Sequence, residues 1–331
     1  MSSVGATVGV ARRRVAAVQR SFPVLQVGVL IALLFYGSLT INGFILQQSI
    51  RSMLVLAALL GLAAAGQTLV MLVGGLDLSI PGLIVLGATM VTNLCGSHGW
   101  ALGPALALIV VICGGVGATV GWLCHRLRVM PIVVTLAVGT LAIGAMQVWG
   151  ISYSGGTAPK PLSDATAANG TTFGLAVSPV VIIWAVVAIV LAIVLHRTKA
   201  GRRVYATGAS PRAAELSLIS TRKVWIGVFA TSAILSGLVG TLLAGFAGTG
   251  ATIGQPYLFQ GLTAVIVGGT AFMGTRGDYT HTVLGALILT VLTTILVGRG
   301  FDSPDQQIIF GALILVVVAL YGRERRLEDR I

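Results

Sequence analysis

The sequence predicts an all-α membrane protein with about ten spanning helices. The chain is 56% hydrophobic and only 9% charged, whereas an ordinary soluble domain is about 25% charged. Between Lys223 and Arg276, 52 consecutive residues include no Asp, Glu, Lys or Arg. Since one spanning helix needs about 20 apolar residues, this run must hold two spans and a reversal of the chain.

The first span is predicted to be uncleaved, because its apolar run, 22–41, follows four arginines and exceeds the core of a signal peptide. Residues 1–22 and 323–331 are expected to form cytoplasmic tails on either side of a transmembrane domain, 23–322. Apolar stretches between polar breaks give ten predicted spans: 23–42, 52–73, 78–95, 101–124, 131–150, 175–196, 224–247, 257–274, 280–298 and 306–322.

The distribution of basic residues predicts the orientation. With the N-terminus in the cytoplasm, 18 of the 21 Lys and Arg residues fall on the cytoplasmic side and three, Arg51, Lys160 and Arg299, fall outside. Both termini and the basic loop 197–223 are therefore predicted to be cytoplasmic. The net charge of +12 comes from arginines that flank the spans, without the aromatic–basic alternation of a nucleic-acid-binding surface.

Many of the 44 glycines lie inside the predicted spans. Small residues let helix backbones approach closely in a membrane, where apolar side chains gain little by leaving lipid. We therefore expect a compact bundle, of the kind that a transporter needs. The glycines concerned are Gly114, Gly117, Gly121, Gly237, Gly240, Gly245 and Gly248.

Two glycine pairs interrupt the apolar pattern: Gly74–Gly75 in GGLDLSIPG, and Gly268–Gly269. A glycine pair allows a helix to break, and Asp77 or Ser79 can cap the helix that follows. An ionisable group this close to the hydrocarbon is costly, so a role for Asp77 in gating or subunit contact stands beside capping. The loose similarity of the two segments hints at an internal repeat.

The basic loop contains its own helix signal. Ser210 is a predicted N-cap with Pro211 in the first turn, and 212–219 would form two turns with Ala213, Leu216 and Ile219 on one side. Such a helix either lies flat on the membrane or inserts into a groove on a partner protein.

Four segments resemble the permease family of simple-sugar (ribose, xylose, arabinose and galactose type) ABC importers, within the branched-chain amino acid and ribose permease superfamily. They are GQTLVMLVGGLDLS at 66–79, PIVVTL at 131–136, GRRVYATGASPRAAELSLI at 201–219, and AVIVGGT with RG and LGALIL at 264–289. The resemblance implies a ten-helix permease of the type II, vitamin B12 importer-like architecture in a bacterial plasma (inner) membrane. It also implies a second permease copy, cytoplasmic ABC ATPase subunits and an extracytoplasmic sugar-binding protein as partners.

The resemblance also implies site residues. It makes 201–219 the segment that couples the chain to the ATPase, and it suggests a gating role for the two glycine-pair motifs. The implied coupling residues are Arg202, Arg203, Ser210, Pro211, Arg212, Glu215, Leu216 and Ile219, and the motif residues are Gly74, Gly75, Asp77, Ser79, Gly268 and Gly269.

The chain itself offers no site for nucleotide chemistry. A phosphate-binding loop needs Gly-Lys-Ser/Thr, and Lys160, Lys199 and Lys223 follow Pro, Thr and Arg. The four histidines lack metal-ligand spacing, and the three cysteines are typical of small packing residues. We therefore expect no catalytic residue, metal or cofactor in this chain, with ATP and Mg²⁺ on the partner ATPase.

A monosaccharide path would be lined by uncharged polar groups that replace water around hydroxyls, although hydrogen bonding within or between helices is an alternative for each. The family's acidic Tyr-Glu-Leu-Asp pattern is replaced here by 257–260, so nucleosides or branched-chain amino acids remain alternative substrates. An ion-coupled secondary transporter and a membrane enzyme or scaffold are the other classes. The candidate path residues are Gln67, Thr68, Thr135, Gln147, Tyr257 and Gln260.

Overall fold

The computed structural model describes residues 23–148, 157–270 and 277–328. The predicted tail 1–22, the last residues of the C-terminal tail and Arg276 lie outside these ranges. The helices are α1 Val24–Thr40, α2 Gln47–Leu72, α3 Ile80–Val91 with a π-helical turn Thr92–Ser97, α4 Leu102–Leu127, α5 Pro131–Val148, α6 Lys160–Thr166, α7 Pro179–Arg197, α8 Lys199–Ala209, α9 Pro211–Leu216, α10 Thr221–Ala247, α11 Gln255–Val267, α12 Tyr279–Gly298 and α13 Ser303–Glu328.

Each predicted span overlaps one of these helices. Seven of them, α2, α3 with its π-helical turn, α4, α5, α7, α10 and α12, are long and apolar enough to cross a membrane, and α1 is an apolar helix of 17 residues. Helix α11 ends at Val267, seven residues before the predicted end of its span, because the chain turns at the second glycine pair. The chain is an all-helical, multi-pass membrane protein over its described part.

Helices α2 and α10 form the centre of the bundle. Every residue of α2 from Ala57 to Leu72 is buried. Helix α10 packs most extensively against α4, α3 and α2, and α2 also contacts α12, α11 and α7. A helix that is apolar on every side is buried either by lipid or by other helices, and this part of α2 is buried by other helices of the same chain.

Glycines make these helix crossings close, as predicted. A Cβ added at Gly82 would lie 2.2 Å from the carbonyl oxygen of Gly139, and one added at Gly117 would lie 2.3 Å from that of Phe229. Gly248 differs, because it ends α10 at φ +84° with open space around it. The glycines whose Cβ would meet a neighbouring helix at under 3.0 Å include Gly117, Gly121, Gly237, Gly240 and Gly245.

One end of the bundle carries most of the basic residues described. Helices α4 and α7 end there, α8 and α9 lie there, and α10 begins there. We call it the basic end. At the opposite end, Arg299 Nη2 donates a hydrogen bond to the Tyr36 hydroxyl at 2.9 Å, which joins the end of α12 to α1.

Candidate functional site

The first glycine pair ends α2 in a left-handed turn. Gly74 has φ +82°, a conformation that favours glycine. The Gly74 N–H donates to the Met71 carbonyl and the Gly75 N–H to the Val70 carbonyl, both at 2.9 Å. This is the bond pattern of a Schellman helix end. The predicted helix break is therefore present, and we call residues 73–79 the first break.

Asp77 lies in the first break and is almost completely buried, with 2% of its surface exposed. Its Oδ1 accepts hydrogen bonds from the Ser79 N–H, at 2.9 Å, and from the Ser79 hydroxyl. Its Oδ2 accepts one from the Ser232 hydroxyl of α10 at 2.7 Å. Ser79 is the N-cap of α3, but its side chain makes no capping bond. Asp77 thus closes the turn before α3 and also fastens that turn to α10, a long-range contact that a local capping argument omits.

Thr135 of α5 holds the same break from another side. Its hydroxyl accepts a hydrogen bond from the Leu78 N–H at 3.0 Å and donates to the Pro131 carbonyl at 2.8 Å. The side chain is fully buried. These bonds hold the backbone of the first break to α5, and a role for Thr135 in the substrate path stays a prediction.

The second glycine pair ends α11 in the same way. Gly269 has φ +95°, the Gly269 N–H donates to the Ile266 carbonyl at 2.9 Å, and the Thr270 N–H donates to the Val265 carbonyl at 3.1 Å. Gln26 of α1 donates from Nε2 to the Gly268 carbonyl at 3.4 Å. Both glycine pairs therefore form Schellman helix ends, and each is bonded by a side chain from another helix. We call residues 268–270 the second break.

Three consecutive residues of α2, Gly66 to Thr68, lie between the two breaks. A Cβ on Gly66 would lie 2.8 Å from the Cα of Ser232, the residue that bonds Asp77. On the other side, the Thr68 and Thr282 hydroxyls are 3.0 Å apart, and both side chains are buried. A Cβ on Gly268 would in turn lie 2.9 Å from the Cα of Thr282. Helix α2 thus connects the first break to the second through one turn of small and polar residues.

Gln67 is the unusual member of this turn. Its side chain is 1% exposed, and neither its amide oxygen nor its amide nitrogen has a hydrogen-bond partner among the described residues. A buried amide without a partner costs free energy. The other predicted path residues lie elsewhere: Gln147 is exposed near the end of α5, Tyr257 is buried in α11, and Gln260 is partly exposed one turn further along.

At the basic end, α9 begins as the sequence predicts. The Ser210 hydroxyl accepts a hydrogen bond from the Ala213 N–H at 3.3 Å, and Pro211 occupies the first turn. The predicted continuation to Ile219 is wrong, because α9 ends at Leu216. Leu218 takes φ +59°, and the Ile219 N–H donates back to the Ala214 carbonyl at 3.0 Å. The chain thus closes a Schellman turn on a leucine, where glycine is usual.

The side chains around α9 form an exposed basic and apolar surface. Ala214 is buried against the bundle, whereas Leu216 is 80% and Leu218 is 95% exposed. The periodicity of 212–219 selected Ala213, Leu216 and Ile219 but missed Leu218, which lies in the left-handed turn after α9. We call the exposed residues the α9 surface: Arg202, Arg203, Arg212, Leu216 and Leu218.

The basic loop is also tied to the start of α12, which follows the second break. The Tyr205 hydroxyl of α8 donates to the Gly277 carbonyl at 2.9 Å. Burial raises the pKa of Tyr205 to about 12, with a further contribution from the carboxylate of Asp278, so this hydroxyl keeps its proton at neutral pH. His196 Nε2, at the end of α7, lies 3.6 Å from Asp278 Oδ2. A displacement of α8 would therefore also displace the start of α12, next to the second break.

Comparison with known families gives one match that covers most of the chain. Residues 49–318 match the family described as the permease component of the branched-chain amino acid transport system. The matched range contains both breaks, the α2 turn between them and the α9 surface.

Comparison with curated proteins gives three instructive relatives. The fructose import permease of Rhizobium meliloti is 31% identical over 88% of this chain and 80% of its own length. The ribose import permease of Escherichia coli K12 is 28% identical over 90% and 93%. An inner membrane ABC transporter permease of the same strain is 28% identical over 92% of each chain. No solved structure matches the chain significantly.

Proposed function

Because the chain belongs to the branched-chain amino acid transport system permease family, we propose that it forms the translocation path of an ABC importer for a monosaccharide or a similar small polyol. The chain is a membrane permease subunit, not an enzyme, and it is a multi-pass protein of the bacterial plasma (inner) membrane. The proposal extends to the assembly: a second permease copy, cytoplasmic ABC ATPase subunits that hold ATP and Mg²⁺, and an extracytoplasmic sugar-binding protein.

The α9 surface is the observation that best supports an ATPase subunit as a partner. Leu216, at the end of the short, capped helix α9, is 80% exposed, and Leu218, in the turn after it, is 95% exposed. Exposed arginines lie on α9 and on the neighbouring α8. Exposed apolar side chains with a basic rim are typical of a helix that docks into a groove of a partner. With the basic end in the cytoplasm, this surface would face the ATPase.

The two breaks support a gating role for the glycine-pair motifs. Each ends a helix in a left-handed turn, and each is bonded by side chains of other helices, Thr135 and Ser232 at the first and Gln26 at the second. In the proposed cycle, ATP binding moves the docked α9 helices, and the permease changes between inward-open and outward-open states. The breaks are where such a movement would be absorbed.

Ten spans, the type II architecture and cytoplasmic termini are part of the same proposal. The seven long apolar helices, the short apolar helix α1 and the helices α11 and α13 would together supply the ten. This count keeps the basic loop and both tails on one side of the membrane.

The substrate class rests on relatives whose names specify fructose and ribose import. Gln67 supports a substrate with hydroxyl groups, because its buried amide can both donate and accept a hydrogen bond. Branched-chain amino acids are the alternative, since the family description names them, and nucleosides, which carry a sugar, are a second.

Reconstitution tests the proposal directly. The chain would be placed in proteoliposomes with candidate ABC ATPase and sugar-binding proteins from the same organism, and uptake of ribose, fructose, leucine and uridine would be measured with and without ATP. ATP-dependent uptake of a sugar is expected. Uptake that needs no ATP but collapses with the proton gradient would instead indicate an ion-coupled transporter and refute the proposal.

A charge reversal tests the docking role of the α9 surface. Arg212→Glu changes an exposed side chain and should lower ATP-dependent uptake about tenfold, as expected when a contact at a partner interface is lost. Arg126→Glu makes the same charge change at the basic end, on α4 and outside the α9 surface, and serves as the control. Glu215 is unsuitable for a reciprocal exchange, because it bonds within the chain.

A further inference from the structure

Thr221, the first residue of α10, is bonded on both sides although it stands in a basic, exposed stretch of the chain. Its hydroxyl donates to Oε1 of Glu215, in α9, at 2.8 Å. The same hydroxyl lies 2.9 Å from Nε2 of His125, near the end of α4. Only 3% of Thr221 is exposed. One hydroxyl therefore joins three helices at the basic end.

The chemistry of the three groups fixes the direction of these bonds. A hydroxyl has one proton, and Thr221 gives it to the carboxylate, which can only accept. His125 must then donate its Nε2–H to the lone pair of Thr221. The chain runs from His125 through Thr221 to Glu215, and each donor strengthens the next bond by polarising it.

Helices α4 and α10 behave as one rigid support for this chain of bonds. Cβ atoms on Gly117 and Gly121 would lie 2.3 Å and 2.6 Å from the Phe229 and Trp225 carbonyl oxygens, so the two backbones are in direct contact. The rings of Trp225 and Phe229 stack at 5.7 Å on the same part of α10. A displacement of Thr221 is thereby carried along α10 as a whole.

The same helix reaches the first break. Ser232 lies three turns after Thr221, about 16 Å along the axis at 1.5 Å per residue, and it donates to Asp77. Glu215, by contrast, belongs to the helix that bears Leu216 on the α9 surface. The bonds of Thr221 are therefore a direct physical link between the α9 surface and the support of the first break.

We propose that His125 and Thr221 are positioning residues that hold α9 to the α4–α10 pair and transmit its movement to the first break. The movement of α9 rests on the proposed function, whereas the hydrogen-bonded link between α9, α10 and α4 does not. His125 acts through Thr221 on Glu215, and not by contact with substrate or ATPase.

Hydrogen–deuterium exchange on the full chain in detergent tests the link. His125→Ala and Thr221→Val should raise the exchange rate of the amides 214–219, at the end of α9 and in the turn after it, by roughly fivefold, the effect of about one net hydrogen bond. His125→Gln, which keeps a side-chain N–H donor, should restore slow exchange. Thr231→Val is the matched control on the same helix, since that exposed hydroxyl bonds the Gly227 carbonyl of its own helix. Unchanged exchange in His125→Ala overturns the proposal.

The transmission is tested in the reconstituted importer by the number of ATP molecules hydrolysed per sugar taken up. His125→Ala, Thr221→Val and Glu215→Ala should each raise this ratio several-fold, and the double variant His125→Ala/Glu215→Ala should be no worse than either single one. Fewer folded complexes with an unchanged ratio would show a merely structural role and overturn transmission. If the wild type shows no ATP-driven uptake, the proposed function fails, while the exchange measurement still decides whether His125 holds α9.

Discussion

The Oδ2 atom of Asp77 accepts a 2.7 Å hydrogen bond from the hydroxyl of Ser232, a residue 155 positions later in the chain. This bond fastens the break between α2 and α3 to the central helix α10. Both side chains are buried, so the loss of either group leaves the other in an apolar environment without its partner. A buried carboxylate is tolerable only when its oxygens are bonded, and Ser79 and Ser232 together supply those bonds.

Ser232→Ala should therefore destabilise the folded chain by about 2 kcal/mol, because a buried carboxylate oxygen loses its donor. Asp77→Ala should cost more, since three donor groups lose one acceptor. Thermal unfolding in detergent measures both. Thr231→Val is the control and should change stability by less than about 0.5 kcal/mol, because its hydroxyl is exposed. Equal stability of the Ser232 and Thr231 variants would contradict the assignment.

Two glycines of α4 should respond to alanine with opposite signs. At Gly117 a Cβ would lie 2.3 Å from the Phe229 carbonyl oxygen, so α4 and α10 must move apart, at a cost of about 2 kcal/mol or more. At Gly115 nothing lies within 4 Å, and alanine should stabilise the helix by up to about 1 kcal/mol. Thermal unfolding of the two variants decides the matter, and a loss of stability at both positions would contradict the described crossing.

The glycines of α4 also show what the sequence could and could not predict. Composition and charge predicted the spans, and small residues predicted close crossings, because both follow from the surrounding membrane. They grouped Gly114 with Gly117, although a Cβ on Gly114 would meet only the side chain of Ile234, at 3.2 Å. The sequence could not separate the two, since the partner backbone comes from a helix more than 100 residues away.

The contacts of the candidate site also fall into two groups, local ones that the sequence predicts and long-range ones that it does not. Ser210 was predicted as an N-cap from its immediate neighbours and makes the bond, whereas the bond from Ser232 to Asp77 needs the fold to bring them together. Leu218 was missed because nothing in the order of side chains requires a left-handed leucine. Local bonding was thus predictable, and the long-range bonds that give the site its geometry were not.

The hydroxyl of Tyr279 should be worth about 2 kcal/mol of stability. The residue is fully buried, and its hydroxyl accepts from Trp184 Nε1 at 3.0 Å and donates to the Gly61 carbonyl at 2.7 Å. Tyr279→Phe leaves the Trp184 N–H without this acceptor and removes the bond that the Gly61 carbonyl accepts from outside its own helix, both in the core. Tyr36→Phe removes an exposed hydroxyl bonded to Arg299 and should cost less than about 0.5 kcal/mol. Similar unfolding temperatures for the two variants would count against this network.

Leu218 should lower the stability of the fold and strengthen binding to the ATPase. Its backbone has φ +59°, which costs a residue with a Cβ about 1–2 kcal/mol, and its side chain is 95% exposed, so it contributes little to the fold. Leu218→Gly removes the strain and the side chain, whereas Leu218→Ala removes only the side chain beyond Cβ. We expect the glycine variant to be about 1 kcal/mol more stable than the alanine variant in thermal unfolding.

Both Leu218 variants should bind the ATPase about tenfold more weakly than the wild type if the leucine is an anchor of the α9 surface. Binding of the ATPase to the chain in nanodiscs measures this independently of stability. The opposite directions of the two effects separate docking from folding, because a variant that folds better and docks worse cannot owe its defect to unfolding. Wild-type affinity in both variants would remove Leu218 from the docking surface and leave its strained backbone without a functional reason.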